Sequence, residues 1–270
     1  TPPTGQAGRR GEGALPGFGG ARRGKARVLP RRIVNLLQAG VVEPERIRAL
    51  TSTNKAAREM RSRLAVELGT STPGMWIGTF HAIATRMLRP HVELLGYKAG
   101  FAIFDEDDSK SILKRALSDL ELDPRKNTLP PLLDAISKAK AELLRPQEIT
   151  GKTVQDRILK AVYERYQELS RESNGMDFDD LILNLVHLWK ENETVREEWR
   201  GRFDQVLVDE YQDTNRAQYE MLIELAGGHR NLTVVGDDDQ SIYAFRGADV
   251  RNILGFQRDF PEAKVVKLEQ

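Results

Sequence analysis

Short apolar runs that stop abruptly at polar residues recur along the chain, and such runs are typical of buried strands in a parallel sheet. The clearest run covers residues 206–208 and stops at two adjacent carboxylates, Asp209 and Glu210. Apolar positions at helical spacing fill the segments between the runs. The pattern predicts strands at 47–51, 75–79, 206–208, 232–235 and 264–268, and helices at 27–37, 54–68, 81–95, 109–120, 132–144, 154–172 and 178–190.

Strands and helices alternate near both ends of the chain, whereas residues 105–200 have an almost wholly helical pattern. This order predicts an α/β fold in which a parallel sheet domain carries an inserted all-helical subdomain. We expect the sheet domain to comprise residues 1–88 and 177–270, and the helical subdomain to comprise residues 89–176.

Two local signals refine these elements. Residues 14–18 make a poor central strand, because Pro16 cannot donate a hydrogen bond to a neighbouring strand. The helix that follows residue 208 is predicted to start at Asp213 or Thr214 as N-cap and to end before Gly227.

The composition narrows the class of protein. A chain of 270 residues with 40% hydrophobic and 30% charged residues suits a globular protein of one or two domains. The lack of cysteine excludes disulfides, thiolate metal sites and cysteine nucleophiles, and four scattered histidines argue against a zinc site. No apolar stretch reaches the roughly 20 residues that span a membrane, and no secretory signal is present. We therefore expect no membrane association and a cytoplasmic location.

The net charge of +1 conceals a basic N-terminal segment. This segment fits a surface that binds phosphate or nucleic acid. A disordered basic tail over residues 1–18 is an equal alternative. Residues 1–32 contain one acidic side chain, Glu12, against the basic side chains of Arg9, Arg10, Arg22, Arg23, Lys25, Arg27, Arg31 and Arg32.

The two carboxylates after the 206–208 strand suit the hydrolysis of a nucleoside triphosphate. Ligands of open α/β sheets bind beyond the carboxyl ends of the strands. There Asp209 can hold Mg²⁺, directly or through water, while Glu210 orients and deprotonates an attacking water. The alternative is an acidic strand-to-loop junction at a solvated edge.

A Gly-rich segment matches most of a phosphate-binding loop. Residues 19–26 fit the frame G-x-x-x-x-G-K, in which backbone N–H groups wrap the phosphates and a lysine, here Lys25, reaches the β and γ phosphates. The next position normally supplies a hydroxyl to Mg²⁺, but Ala26 occupies it. A flexible Gly/Arg-rich segment is the alternative interpretation.

Polar residues also follow the predicted strand at 232–235. The side-chain amide of Gln240 could reach a γ-phosphate, since an amide both donates and accepts hydrogen bonds. Tyr243 and Phe245 lie just beyond it, and aromatic side chains stack on single-stranded bases without reading their sequence. Both aromatics could equally be ordinary packing residues.

Two further strands lead directly into helices at polar residues. Thr53 and Asn54 follow the strand at 47–51. Thr79 is the last residue of the strand at 75–79, and His81 follows it. Hydroxyls, amides and helix N-terminal N–H groups at such positions suit phosphate binding. The commoner use of Thr and Asn there is to cap the helix.

Taken together and in order, six of these segments closely resemble the UvrD/Rep/PcrA family of superfamily 1 DNA helicases. The resemblance extends from about residue 27 to residue 270. It rests on residues 24–25 (GK), 49–57 (ALTSTNKAA), 78–81 (GTFH), 177–181 (DFDDL), 208–213 (VDEYQD) and 235–243 (VGDDDQSIY).

The resemblance implies a RecA-like P-loop domain with an inserted helical subdomain. It also implies ATP-driven 3′-to-5′ movement along single-stranded DNA, unwinding of partly duplex DNA, and a role in DNA repair or replication beside other proteins of those processes. The implied catalytic residues are Lys25, Asp209, Glu210 and Gln240; the ATP-binding residues Gly19, Gly20, Gly24, Lys25, Ala26 and Arg27; the Mg²⁺ ligand Asp209; and the DNA-binding residues Thr53, Asn54, Thr79, Phe80, His81, Tyr243 and Phe245.

The first 52 residues depart from the family pattern. Ala26 replaces the Mg²⁺-binding hydroxyl, Arg22 and Arg23 crowd the loop, and Ser52 stands where the family has a DNA-stacking Phe. The adenine-recognising glutamine motif is not recognisable in residues 1–18. A decayed segment and an altered start remain alternatives for residues 1–24.

The chain stops where the family's second RecA-like domain begins, so we expect it to be half of a two-domain motor that hydrolyses ATP poorly and unwinds nothing alone. Two other hypotheses stay open. One is a degenerate, non-catalytic module that binds single-stranded DNA or protein. The other is the motor part of a helicase–nuclease subunit.

Overall fold

The computed structural model describes residues 15–18, 22–71, 74–236, 256, 258–263 and 266–267, with backbone alone for 15–18, 22–26 and 266–267. Within this part, strands and helices alternate as the sequence pattern predicts. The strands are β1 Leu15–Phe18, β2 Ile47–Thr51, β3 Trp76–Thr79, β4 Ala102–Ile103, β5 Gly175–Met176, β6 Gln205–Val208, β7 Leu232–Gly236 and β8 Val266–Lys267.

The α-helices among the described residues connect these strands. Most lie within a few residues of their predicted bounds, and α2 and α6 coincide with them. They are α1 Arg22–Gln38, α2 Asn54–Leu68, α3 Phe80–Leu88, α4 Glu106–Asp119, α5 Leu129–Ala141, α6 Val154–Glu172, α7 Phe178–Glu191, α8 Glu193–Arg200 and α9 Arg216–Ala226.

Six strands form one sheet in the order β3-β2-β6-β7-β1-β8, and every pair in it is parallel. The described residues of β2, β3, β6 and β7 are all buried, which explains their nearly continuous apolar sequences. The predicted α/β class with a parallel sheet is therefore confirmed.

The prediction that residues 14–18 make a poor central strand is wrong. β1 lies between β7 and β8, and Pro16 pairs with Val234 of β7. On the other side, the described residues of β8 pair with Gly17 and Phe18. Pro16 thus lies within a strand that has a neighbour on each side, although it has no N–H to donate to either of them.

The start of α9 also differs from its prediction, because Asn215 is the N-cap rather than Asp213 or Thr214. Asn215 Oδ1 accepts from the Gln218 N–H at 2.9 Å, and Gln218 Oε1 accepts in return from the Asn215 N–H at 3.2 Å. Residues Tyr211–Asp213 instead form a 3₁₀ turn, in which the Asp213 N–H donates to Glu210 O at 3.0 Å.

The predicted helix at 81–95 is divided in two. α3 ends at Leu88, and a 3₁₀ segment, Arg89–Leu95, continues from it. Pro90 is the second residue of that segment. Its ring and its missing N–H disfavour the continuation of an α-helix through this point.

Close contacts divide the chain into two compact units. Unit 1 consists of Thr1–Ile83 and Asn192–Gln270 and contains the six-stranded sheet, and unit 2 is Ala84–Glu191. In unit 1, apolar side chains of α1 and α2 pack on β2, β3, β6 and β7 around Ile33, Leu64 and Leu207. In unit 2, α4, α5 and α6 pack together around Leu113, Ile136 and Tyr166. These boundaries place α7 in unit 2, whereas we expected it with the sheet; the division into folding domains stays a prediction.

Within the described residues, no helix combines the length and the apolar character that crossing a bilayer requires.

Candidate functional site

The register of the sheet brings the candidate segments to one edge of unit 1. Because all the strands are parallel, each of the segments that follow them leaves from the same, carboxyl edge. The strand ends align across the sheet through the pairs Thr51 with Thr79, Leu50 with Val208, Val208 with Val234, and Phe18 with Gly236. β6 lies between β2 and β7, so Asp209 and Glu210 leave near the middle of this edge.

The backbone at Asp209 and Glu210 turns sharply away from the sheet. The Asp209 N–H still donates to Leu50 O of β2 at 3.0 Å, which continues the ladder by one residue. Glu210 then adopts a left-handed conformation with φ 51° and ψ 46°. Few residues other than glycine take up this conformation, and it is found where a surrounding structure fixes a functional side chain. Both carboxylates are half-buried, so a ligand can reach them.

The 3₁₀ turn after Glu210 holds its carboxylate in place. The Gln212 side chain is 2% exposed, and its Nε2 donates to Glu210 Oε2. Thr214 Oγ1 donates to Tyr211 O at 2.7 Å and closes the turn. The Tyr211 ring packs edge-on against Phe256 at 5.6 Å between centroids. The bond between Gln212 and Glu210 depends on this turn, so no sequence pattern indicates it.

Asp209 is chemically suited to Mg²⁺. A magnesium ion bound to a nucleotide usually takes one or two carboxylates from the protein and completes its shell with water and phosphate oxygens. Asp209 supplies one half-buried carboxylate at the strand end, and its Oδ1 accepts from the Glu210 N–H at 3.1 Å. The described residues contain no cluster of three or more metal-ligating side chains.

The candidate phosphate loop is described only in part. Gly19 and Gly20 lie outside the described residues. Gly24, Lys25 and Ala26 belong to the first turns of α1, which begins at Arg22 directly after the loop that leaves β1. Arg27, the first residue here with a described side chain, is exposed. A helix N-terminus at the carboxyl edge of a parallel sheet is a favourable place for phosphate.

The two segments proposed for DNA contact begin helices at the same edge. Thr53 caps α2, its Oγ1 accepting from the Ala56 N–H at 3.1 Å, and Thr79 Oγ1 accepts from the Ala82 N–H at 3.2 Å. Both hydroxyls therefore have the capping role that was the alternative to DNA binding. Asn54 is exposed and His81 is half-buried, so both can meet a ligand. Phe80 is only 3% exposed and packs into the unit.

The remaining predicted site residues, Gln240, Tyr243 and Phe245, lie outside the described residues. β7 leads into their segment from Gly236, beside β6 and at the same carboxyl edge.

The DFDDL segment forms a buried ionic cluster in unit 2. Lys140 Nζ lies 2.6 Å from Asp177 Oδ2 and 2.8 Å from Asp180 Oδ1, and neither Lys140 nor Asp180 exposes its side chain. Burial, and then the neighbouring Asp177, raise the pKa of Asp180 to about 6. Burial acts to raise the pKa of Asp177, but Lys140, the Asp180 N–H and the Tyr166 hydroxyl together hold it below the ordinary value.

This cluster sets a pH dependence of stability. The pKa of Asp180 is about 6 in the folded chain against 3.8 for an ordinary carboxyl, so the folded state binds more protons between these values. Its contribution to stability therefore falls as pH rises from about 4 to about 6, and is level above that. We expect Asp180→Asn to gain up to about 3 kcal/mol of unfolding free energy relative to the unsubstituted chain over this interval. Urea denaturation at several pH values measures this gain, and a constant difference between the two proteins would contradict it.

Comparison with known proteins identifies the family. Residues 11–261 match the model of the UvrD/REP helicase N-terminal domain. The chain is 43% identical over 261 residues to the ATP-dependent DNA helicase PcrA of Bacillus subtilis (strain 168), covering 96% of this chain and 35% of that protein. It is 41% identical to the protein of that name from Staphylococcus aureus (strain Mu50), covering 96% of this chain and 36% of the relative. It is 40% identical over 267 residues to the protein of that name from Staphylococcus epidermidis, covering 98% of this chain and 37% of the relative.

The chain thus spans about a third of the length of the curated relatives that it matches. The matched model covers more than half of the chain, and it includes the carboxyl edge with Asp209 and Glu210. The resemblance seen in the sequence is confirmed: the chain belongs to the UvrD/REP helicase N-terminal domain family.

Proposed function

We propose that this chain is the N-terminal motor half of an ATP-dependent DNA helicase, and that its sheet unit binds ATP and Mg²⁺ at the carboxyl edge. One observation carries the proposal. The strand register aligns the ends of five strands at one edge of the sheet. β1, β6 and β7 lead into the phosphate-loop, Asp209–Glu210 and Gln240 segments, in that order. β2 and β3 lead into the proposed DNA-contacting segments. Nucleotide and DNA would then meet on one edge of one sheet.

The roles of the site residues follow from this arrangement. Lys25 and the N–H groups at the start of α1 would bind the phosphates, with Gly19, Gly20, Gly24, Ala26 and Arg27 forming the rest of the loop. Asp209 would hold the Mg²⁺ ion, which when bound offsets charge on the phosphate oxygens. Glu210 would accept the proton of the attacking water. Since Gln212 donates to Oε2, Oε1 is the oxygen of Glu210 that remains for this proton.

DNA contact is assigned to the segments at the ends of β2, β3 and β7. Thr53 and Asn54 are exposed and His81 is half-buried, so these three can meet DNA, whereas the hydroxyls of Thr53 and Thr79 also fix the helix starts. Phe80 would shape the segment from inside the unit. Tyr243 and Phe245 would stack on bases, and Gln240 would couple them to the γ-phosphate.

The whole-protein activity is part of the proposal. We infer 3′-to-5′ translocation on single-stranded DNA, unwinding of partly duplex DNA, and work in repair or replication in the cytoplasm with other proteins of those pathways. These inferences rest on family membership and on relatives named as ATP-dependent DNA helicases. The helical unit, Ala84–Glu191, would be the inserted subdomain of the motor.

Nucleotide binding by the chain tests the proposal directly. Titration with a fluorescent ATP analogue and Mg²⁺ should reveal binding, and Lys25→Ala should weaken it about ten- to hundredfold through loss of charged hydrogen bonds. Asp209→Asn should remove the Mg²⁺ dependence. Lys114→Ala, an exposed lysine on α4, is the matched control and should leave the affinity unchanged.

A non-catalytic module is the second candidate, and Ala26 is the observation that favours it, because it offers no hydroxyl to Mg²⁺. Ala26→Thr separates the two. Tighter Mg²⁺-dependent ATP binding in this variant supports an ATP site with one altered position. The absence of ATP binding in both proteins would favour the module that no longer uses ATP.

A further inference from the structure

Unit 2 contains a cavity of about 360 Å³, and no residue of the proposed ATP site lines it. Its size falls within the range of small-molecule sites in proteins, roughly 300–1,000 Å³. Three side chains on one face of α6, Glu164, Gln167 and Arg171, form one wall. Asn184 and Leu183 of α7 contribute to another.

A buried oxygen at this cavity lacks a hydrogen-bond partner. Gln167 is 9% exposed, and its Nε2 donates to Asp180 Oδ1 at 2.9 Å. Asp180 Oδ1 also accepts from Lys140 Nζ at 2.8 Å, so this carboxylate requires a donor and the orientation of the Gln167 amide is determined. Gln167 Oε1 then remains without a partner among the described residues. Such an orphaned acceptor costs about 1–3 kcal/mol unless a ligand or water donates to it.

A second amide and a guanidinium surround the same space. Asn184 is half-buried, and its only hydrogen bond in the described part is a weak one, from Nδ2 to Met176 Sδ at 3.6 Å. Arg171 lies one helical turn after Gln167 on the same face of α6, and it makes no ion pair with another described residue. The cavity is therefore lined by two amide side chains with unused hydrogen-bonding capacity and by the exposed Arg171.

Charge and shape restrict the ligand. Arg145 pairs with Glu191, which leaves one cation, Arg171, and one anion, Glu164, along the wall. They lie seven residues apart on α6, roughly 10 Å along the helix axis, with Gln167 between them. Leu94, Leu95 and Leu183 add apolar surface. A fitting ligand has a flat apolar body, an edge of hydrogen-bond donors and acceptors, and an anion at the end near Arg171.

A nucleotide has this combination of groups. Asn and Gln amides form paired hydrogen bonds with base edges, leucine side chains pack on base faces, and a guanidinium binds phosphate through two parallel hydrogen bonds. We propose that the cavity of unit 2 binds one nucleotide, with its base edge at Gln167 and Asn184 and its phosphate at Arg171. This site goes beyond the proposed function and does not depend on it.

The nucleotide has two possible sources, a free mononucleotide or a single base that leaves the stack of a nucleic-acid strand. Titration of the full 270-residue chain with dAMP and dTMP, followed by calorimetry, tests the first source. Titration with a fluorescein-labelled oligodeoxythymidine, followed by anisotropy, tests the second.

Two pocket variants and one control locate the binding. Arg171→Ala removes the phosphate contact, and Asn184→Leu removes an amide while nearly keeping volume and leaving charge unchanged. Arg125→Ala is the control, since Arg125 is also an exposed arginine of unit 2 but does not line the cavity. We expect each pocket variant to weaken binding about tenfold, and the control to change it less than about twofold.

Asn184→Leu, which leaves the charge unchanged, is the variant that tests the cavity itself, because loss of any surface arginine weakens binding to a nucleic-acid strand through general electrostatics. Sensitivity of mononucleotide binding to Asn184→Leu supports a free nucleotide, and sensitivity confined to the oligonucleotide supports a base from a strand. Unchanged affinity for both ligands in Asn184→Leu, or no binding of either, overturns the proposal. If Asn184→Leu lowers the thermal midpoint, Asn184→Ser replaces it. Lys25→Ala should weaken binding at the proposed ATP site without changing nucleotide binding in the cavity, so failure of one proposal can be distinguished from failure of the other.

Discussion

Replacement of Glu210 by Gln is expected to lower the rate of ATP hydrolysis by about 10²- to 10⁴-fold, the usual contribution of a positioned general base. The amide keeps the shape of the side chain and an oxygen that can accept from Gln212, whose bond to Glu210 Oε2 fixes the orientation of the group. It cannot take a proton from water at neutral pH. ATP affinity should stay within about twofold, because binding depends on phosphate and Mg²⁺ contacts made by other residues.

Single-turnover hydrolysis, measured beside ATP binding in the same preparations, separates the two effects. The Ala26→Thr form of the chain provides a second background for the measurement. Glu67→Gln makes the same chemical change at an exposed position of α2 and should alter neither quantity. Equal hydrolysis rates for Glu210→Gln and the parent chain, both above the rate without protein, would show that Glu210 is not the base.

Replacement of Lys140 by Met is expected to destabilise the chain by about 3–5 kcal/mol, which is the usual cost of breaking a buried ion pair by removing one partner. Lys140 is the cation of a cluster with two carboxylates, Asp177 and Asp180. The Tyr166 hydroxyl donates to Asp177 Oδ2 at 2.8 Å, and the Tyr166 ring lies 5.0 Å from Lys140 Nζ. Without Lys140, two buried carboxylates would face each other, with hydrogen bonds as their only compensation.

Lys138→Met is the matched control. Lys138 lies on the same helix, α5, but its side chain is 75% exposed, and its ion pair with Asp134 spans one turn at the surface. Surface pairs of this kind contribute about 0.3–0.5 kcal/mol. Urea denaturation followed by circular dichroism compares the two variants. Similar losses for Lys138→Met and Lys140→Met would mean that the buried cluster has no special role in stability.

The cluster of Lys140, Asp177 and Asp180 is connected to the cavity of unit 2 through Gln167. Asp180 accepts from Gln167, which is one of the residues that line the cavity. Burial and Asp177 raise the pKa of Asp180 to about 6, so protonation near that pH changes the group to which Gln167 donates.

Several elements of the fold were predictable because their determinants are local. β2, α2 and α6 have the bounds that period and capping residues indicate, and the Thr53 and Thr153 caps lie directly before the two helices. The strand before Asp209 and Glu210 was predictable for the same reason. A run of buried apolar residues that stops at two carboxylates needs no distant contact to be recognised.

Other features depend on partners that sequence distance conceals. The segment around Pro16 forms a strand because β7 and β8, more than 200 residues later in the chain, lie on either side of it. Asn215 caps α9 because the preceding residues form a 3₁₀ turn, which depends on the unusual backbone at Glu210. Both outcomes follow from where hydrogen-bond donors meet acceptors in space.

By itself, the sequence determined the α/β class, the order of the elements and the residue types of the candidate ATP site, since each is encoded by local periodicity or by adjacent side chains. Only the tertiary structure decided which of these residues act together. The parallel register brings distant strand ends to one edge, Gln212 orients Glu210, and Lys140 neutralises part of the charge of Asp177 and Asp180. These contacts join residues through space, where distance and burial set the strength of each interaction.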